Sequence, residues 1–271
     1  MHAYVDAAAD SRISYACYDQ RRRTGEQFVP QHVFSYQVAG QTMVSNEEQT
    51  HVFAAGSFRL IRRNHLFMFT KQPPAGGGEF RTVAVCLGQP LLRAISQEYD
   101  IPAGRSPVTP AILPLAPHTL YQSYFESLQP YQQLAQPAQA PLQALKVREA
   151  ALLLLHVAPA LQDVLFDFSE PGKIDLAAFM EKNFCFNVTL GRFAYLTGRS
   201  LATFKRDFGK LFQQPPSRWL VQRRLRKAHF LLQEAGQTPS EVYLAVGFED
   251  LSHFSFAFKK AYGFSPSRLA G

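Results

Sequence analysis

Arg206 and Thr203 lie three residues apart near the start of a segment, Ser200–Phe212, in which Phe204, Phe208 and Leu211 recur at i, i+4 and i+7. That spacing predicts a helix whose buried face is Leu201, Phe204, Phe208 and Leu211, and it turns Ala202, Thr203, Lys205, Arg206 and Lys210 outward. Such side chains suit a nucleic-acid partner. A guanidinium fork pairs with guanine O6 and N7, a threonine meets a base edge or a thymine methyl, and lysines suit phosphates. Ser200 caps this helix and lies at the same surface. A second segment, Leu251–Tyr262, with Asp250 just before it, offers Ser252, His253 and Ser255 at its start and Lys259 and Lys260 toward its end. Phe256 lies between them, where it can touch a thymine methyl or pack inside.

Each segment needs a partner helix to hold its other face. Leu190–Leu196, the turn Thr197-Gly198-Arg199 and Ser200–Phe212 form one helix-turn-helix pattern. Ser240–Val246, the turn Gly247-Phe248-Glu249 and Leu251–Tyr262 form another. Around them, Leu176, Phe179 and Met180 mark a preceding helix, and Thr189 caps the next. Pro216 opens a longer linking helix that carries Trp219, Leu220, Leu225, Ala228, Leu231 and Leu232 and stops at Gly236. Thr238-Pro239-Ser240-Glu241 reads as a capping box, and Gly263 ends the last helix.

Charge agrees with a polyanion partner for this part. Of the net +7, residues 172–271 carry +8 and residues 1–171 carry −1.

The N-terminal part has a different period. Val33–Val38 alternates and turns at Gly40, and Thr50–Ala54, Phe58–Ile61, Leu66–Thr70 and Phe80–Leu87 read as further strands. Short strands this close predict a small barrel or sandwich over about residues 25–115. Pro90 opens a helix through Tyr99, and a stretch punctuated by Pro102, Pro107, Pro110, Pro114 and Pro117 reads as extended. Thr119–Leu134 and Leu142–Val157 read as helices, broken by Pro137 and Pro141. The leucines of the second exceed one stripe, which makes residues 119–157 a candidate homodimer surface. Pro159 and Pro171-Gly172 mark a linker, so the expected domains are 1–165 and 173–271.

Residues 173–269 resemble the tandem helix-turn-helix domain of the AraC/XylS family of bacterial regulators. The resemblance is carried by Ser200–Phe208, by Trp219-Leu220 with Arg224-Leu225, Ala228 and Leu231-Leu232, and by Val246–Lys260 closed by Gly263-Phe264-Ser265-Pro266. Three departures stand out. Phe256 occupies a place where the family often has arginine, Tyr243 one where alanine is usual, and Arg268-Leu269 replaces a frequent Tyr-Arg ending. More distantly, Gly56–His65 looks like a cupin-type strand and turn, and Thr70–Pro74 is similar to ExsA-type N-terminal regulatory domains. The resemblance implies an α+β two-domain protein, a cupin-like β-barrel with trailing helices joined to an all-α domain. It implies a sequence-specific transcription regulator on promoter DNA, gated at its N-terminal domain by a small-molecule effector or a protein regulator.

Other chemistries find little support. His32, His51 and His65 stand singly, with no His-x-His of a metal-binding cupin, so no metal or cofactor is expected. Gly76-Gly77-Gly78 lacks the Lys and Ser/Thr of a phosphate loop, and no Gly-x-Ser-x-Gly or Cys/His arrangement points to an enzyme. Cys17, Cys86 and Cys185 are odd in number and far apart, which fits reduced thiols in a cytoplasm. Arg21-Arg22-Arg23 reads as a solvated basic run. No signal peptide or membrane span is recognised from Met1 onward. A cupin-type enzyme with an accessory DNA-binding domain, and a non-specific architectural binder, are the opposing readings.

Overall fold

The structure is a computed structural model, and it describes residues 11–20, 22–23, 28–46, 49–104, 110–133 and 139–269. The first ten residues, Arg21, Pro107, Leu134 and Pro137 lie outside these.

The N-terminal part begins with β1 (Arg12–Tyr18), β2 (Arg22–Arg23), β3 (Phe28–Val29), β4 (His32–Ala39), β5 (Gln41–Ser45) and β6 (Thr50–Ala54). It continues with β7 (Phe58–Ile61), β8 (His65–Leu66), β9 (Met68–Gln72), β10 (Phe80–Leu87), α1 (Gln89–Glu98) and β11 (Ile112–Leu115). The strands form three hydrogen-bonded sheets, ordered β1-β10-β4-β7-β11, β2-β9-β5-β6 and β3-β8. Among the described residues the ladders do not join into a closed ring. The cupin-like region is thus a β-rich stack of open sheets.

Both faces of the five-stranded sheet are covered, which explains why β4 alternates in chemistry but not in burial. Phe34 and Tyr36 face the helices, while Ser35 and Gln37 face the second sheet. Gln37 is satisfied there, donating to Ala39 O and Arg81 O and accepting from the Thr42 hydroxyl. Arg59 is buried on β7 with its guanidinium 4.8 Å from the Phe53 ring.

α2 (Thr119–Ser127) and α3 (Gln139–Val157) pack over Phe34, Leu60, Val83 and Val85, followed by α4 (Gln162–Leu165). α2 stops earlier than its apolar pattern predicts. Pro130 cannot continue an α-helix, and Gln129–Gln133 tightens into a 3-10 turn. α3 instead starts earlier, because Pro141 sits in its first turn, where no donor is lost. Most of the surplus leucine surface is absorbed by the sheet. Val147, Ala150, Ala151 and Leu154 are fully buried, and Leu142 and Leu145 remain exposed. Arg22-Arg23 is not merely a solvated run, since its backbone pairs with Lys71 and Thr70 of β9.

The C-terminal part is all helix among the described residues: α5 (Leu176–Asn183), α6 (Leu190–Leu196), α7 (Leu201–Phe212), α8 (Pro216–Gln233), α9 (Pro239–Ala245) and α10 (Leu251–Tyr262). No described helix is long and apolar enough to cross a membrane. The two parts touch. Phe28 of β3 and Leu66 of β8 are buried in the same cluster as Phe193, Phe204 and Trp219. Phe28 packs edge-on to Tyr195 and lies under the Arg192 guanidinium, at 4.5 Å. Arg63 donates to Asp167 O and Ser169 O of the linker, and the Tyr195 hydroxyl donates to Glu170 and lies 3.3 Å from Asn64 Oδ1.

Near this joint His32 is buried with neither ring nitrogen hydrogen-bonded, and desolvation, then Arg63 and Arg62, push its pKa down to about 3. The folded protein therefore keeps His32 neutral where the unfolded chain, at an ordinary 6.5, binds a proton. Stability from this group is complete above pH 6.5 and is lost as pH falls toward 3. His65, lowered chiefly by burial, acts in the same sense. Denaturant titrations should show unfolding free energy falling by about 1.4 kcal/mol per pH unit across that window. The slope should flatten in His32→Phe, and an unchanged slope would refute the assignment.

Arg224 of α8 binds the two helix-turn-helix units together. It donates from Nε to Phe184 O at 2.8 Å, from Nη2 to Phe186 O at 2.8 Å and from Nη1 to Gly247 O at 2.7 Å. Burial lowers its pKa to about 10, so it stays charged at neutral pH. Gly247 has φ of +93°, and a Cβ there would lie 2.4 Å from Cys185 O. Arg224→Met strips three carbonyls of their donor and should cost about 2–4 kcal/mol in denaturant unfolding. A loss below half a kcal/mol would remove the clasp from the account.

Candidate nucleic-acid interface

One short helix holds each reading helix, α6 for α7 and α9 for α10. In the first head α6 is capped by Thr189 and α7 by Ser200, whose Oγ accepts from Thr203 N–H at 3.3 Å. The turn between them relies on Gly198, at φ of +65°, where a Cβ would lie 2.4 Å from the backbone of Gly172. In the second head Thr238 and Glu241 complete a capping box on α9, and Asp250 caps α10 by accepting from His253 N–H at 2.6 Å.

The two reading helices are equivalent, residue for residue, at a shift of 50 positions, each twelve residues long. Ser200 matches Asp250 at the cap, Phe204 and Phe208 match Phe254 and Phe258 in the interior, and Gln213 matches Gly263 in the left-handed region. Outward, Ala202 matches Ser252, Thr203 matches His253, Arg206 matches Phe256 and Lys210 matches Lys260. The Phe-x-x-x-Phe recurrence makes this repeat visible in the sequence.

The buried face of α7 differs from the sequence expectation. Leu201 and Leu211 are exposed, and the ridge is Phe204, Phe208 and Phe212, whose last two rings lie 5.5 and 4.8 Å from Trp219. The i, i+4, i+8 row meets α8 squarely, and Leu211 falls beside it.

The residues expected at the interface lie on these two helices or at their caps, and their environments differ. Ala202, Lys205, Arg206 and Lys210 are exposed on α7, and Thr203 is half-buried, its hydroxyl accepting from Ser200. The Arg206 side chain is 66% exposed, with Asp207 Oδ1 at 3.7 Å. Asp207 is held from the other side by Arg199 Nε at 3.2 Å, and that hydrogen bond pulls its carboxyl below the ordinary value. Arg199 also donates to Ile174 O and Thr197 O, which fixes the turn. On α10, Ser252, His253, Lys259 and Lys260 are exposed, Ser255 is half-buried, and the His253 ring lies edge-on to Phe248 at 5.4 Å. Phe256 is 69% exposed, which rules out packing in the interior. Ser200 and Asp250 are engaged as caps and set where their helices begin. Two contributions escaped the sequence reading, the Arg224 clasp and the Arg199–Asp207 brace, since both depend on backbone carbonyls or on residues brought together by folding.

Residues 193–270 match the helix-turn-helix domain family, and residues 32–164 match the ExsA N-terminal regulatory domain family. The HTH-type transcriptional regulator ExsA of Pseudomonas aeruginosa is 26% identical over 236 residues, 84% of this chain and 82% of its own length. The virulence regulon transcriptional activator VirF of Yersinia enterocolitica is 26% identical over 242 residues, covering 84% and 85%. Among solved structures, an apo ToxT variant from Vibrio cholerae aligns over 96% of this chain and 97% of its own, at 11% identity and a TM-score of 0.46. With a regulatory-domain family on its sheets and helix-turn-helix family on its paired heads, the chain belongs to the AraC family of DNA-binding transcription regulators.

Proposed function

We propose that this regulator reads promoter DNA through two unequal faces, with the first head carrying more of the hydrogen-bonded base discrimination. One observation supports this above the rest. Arg206 sits at the middle of the outward face of α7 with its guanidinium exposed, and the neighbouring Asp207 is already engaged by Arg199. Arg206 pairs with a guanine, Thr203 touches the adjacent base, and Lys205, Lys210, Lys259 and Lys260 hold phosphates.

The regulatory unit is residues 1–165 and the DNA-binding unit 173–271, a division supported by the continuous core that runs from Ile13 to Phe166. An effector or a protein regulator acts on the first unit and is felt through Phe28, Asn64 and Arg63 at α6 and the linker. Leu142 and Leu145, exposed on α3, favour a homodimer through that helix. The chain acts in the cytoplasm, where promoter DNA lies, and catalysis has no place in this reading.

Arg206→Ala should cost about 1–3 kcal/mol at one guanine and relax the preference there, measured by binding selections from a random DNA pool. Unchanged preference at every position would move specificity away from the first head. Lys259→Ala should weaken all sequences alike and lower the slope of log affinity against log salt by about one unit, from a wild-type slope of several units. A salt-independent affinity would contradict the phosphate contacts altogether.

A further inference from the structure

We infer that Phe256 is a thymine reader, its ring meeting the C5-methyl of thymine in the major groove where the first head presents Arg206. This rests on the two-headed reading above and gives the second head its chemistry. Phe254 and Phe258 are fully buried, and Phe256 lies roughly half a turn around α10 from their midpoint, at the crest of the outward face. Its neighbours on that crest are Ser252, His253, Lys259 and Lys260. The acid nearest in sequence, Asp250, is engaged as the helix cap.

That surround selects the occupant. Two lysines beside an exposed ring suit a partner with anionic groups flanking an apolar one. Double-stranded DNA supplies both, as phosphates along the groove wall and the thymine methyl on its floor. Thymine is the base with an apolar group on its major-groove edge, and phenyl has no donor or acceptor for the polar edges of the others. A ring pressed against guanine, adenine or cytosine strips water from those edges and returns no hydrogen bond. The 50-residue equivalence places the ring at the same position on its helix as Arg206 holds on α7. A site for this protein therefore combines a guanine read by a fork with thymine read by contact.

The test uses the full-length protein and a duplex enriched by it from a random-sequence pool. Each thymine in turn is replaced by deoxyuridine, which removes the methyl alone. Wild type should weaken about fourfold per contacted methyl, at one or two positions on the side opposite the Arg206-dependent guanine, the fold expected for one buried carbon. Phe256→Ala should bind the thymine duplex more weakly and be indifferent to deoxyuridine there. Phe256→Leu should keep part of the sensitivity, and Arg206→Ala all of it. The ring is exposed, so these variants should melt with wild type. Deoxyuridine sensitivity that survives Phe256→Ala, or is absent from wild type, overturns the assignment while the Arg206-dependent guanine preference stands. So does a Phe256→Ala protein with wild-type DNA binding and impaired transcription in vitro, which would give the ring to a protein partner. Failure of wild type to enrich any sequence removes the DNA reading of both heads, and the assignment with it.

Discussion

The arrangement of the two heads hangs on one half-buried cation. Arg224 lends its three nitrogens to Phe184 and Phe186 on the side of the first head and to Gly247 on the side of the second. Hydrogen bonds from a charged donor are the strong ones, and three in a planar fork fix angles as well as distances. Desolvation of the guanidinium offsets much of that gain, so the net effect is more geometric than energetic. The close approach of Gly247 to Cys185 follows from it, since no side chain fits between them. An ion pair of Arg223 with Glu181 adds a second tie between α8 and α5.

Around that clasp the heads are built alike and finished differently. Aromatic ridges at the same helical spacing bury against opposite ends of α8, Phe204 and Phe208 toward Trp219, and Phe254 and Phe258 toward Ala228 and Leu232. Caps and left-handed stops match in place though not in residue. The outward positions bear none of this load, which leaves their chemistry free to diverge while the scaffold holds.

Much of this could be read from the sequence because it is local. Thr189, Ser200, Thr238 with Glu241, Gly198, Gly236 and Gly263 are punctuation that acts within one turn of helix, and the structure places each as its spacing implies. The strands that escaped notice are β1 and β11, the two edges of the five-stranded sheet, together with the two-residue strands β2 and β3 and the inner strand β5. β1 buries only Ile13, so its alternation is faint, and β11 contains Pro114, which an edge strand tolerates and an inner one does not. Leu201 and Leu211 depart from expectation because apolar spacing names a face without naming what covers it, whereas α2 ends early because Pro130 stops it. Contacts between the N-terminal sheets and α6 could not be seen, because Phe28 and Leu66 are ordinary strand residues until the chain is folded.

The joint between regulatory and DNA-binding parts has a consequence for how such a protein changes over generations. Phe28, Asn64 and Glu170 engage α6 through Arg192 and Tyr195, whereas the proposed base contacts lie on the outward face of α7. On the proposed reading, response and recognition are written on different sides of one small bundle. On that reading a lineage can exchange Arg206 or Thr203 and acquire new target genes while keeping its signal. It can equally remodel the surface around Phe28 and answer a new signal at the old promoters. Neither change requires the other, and the fold itself supplies that independence.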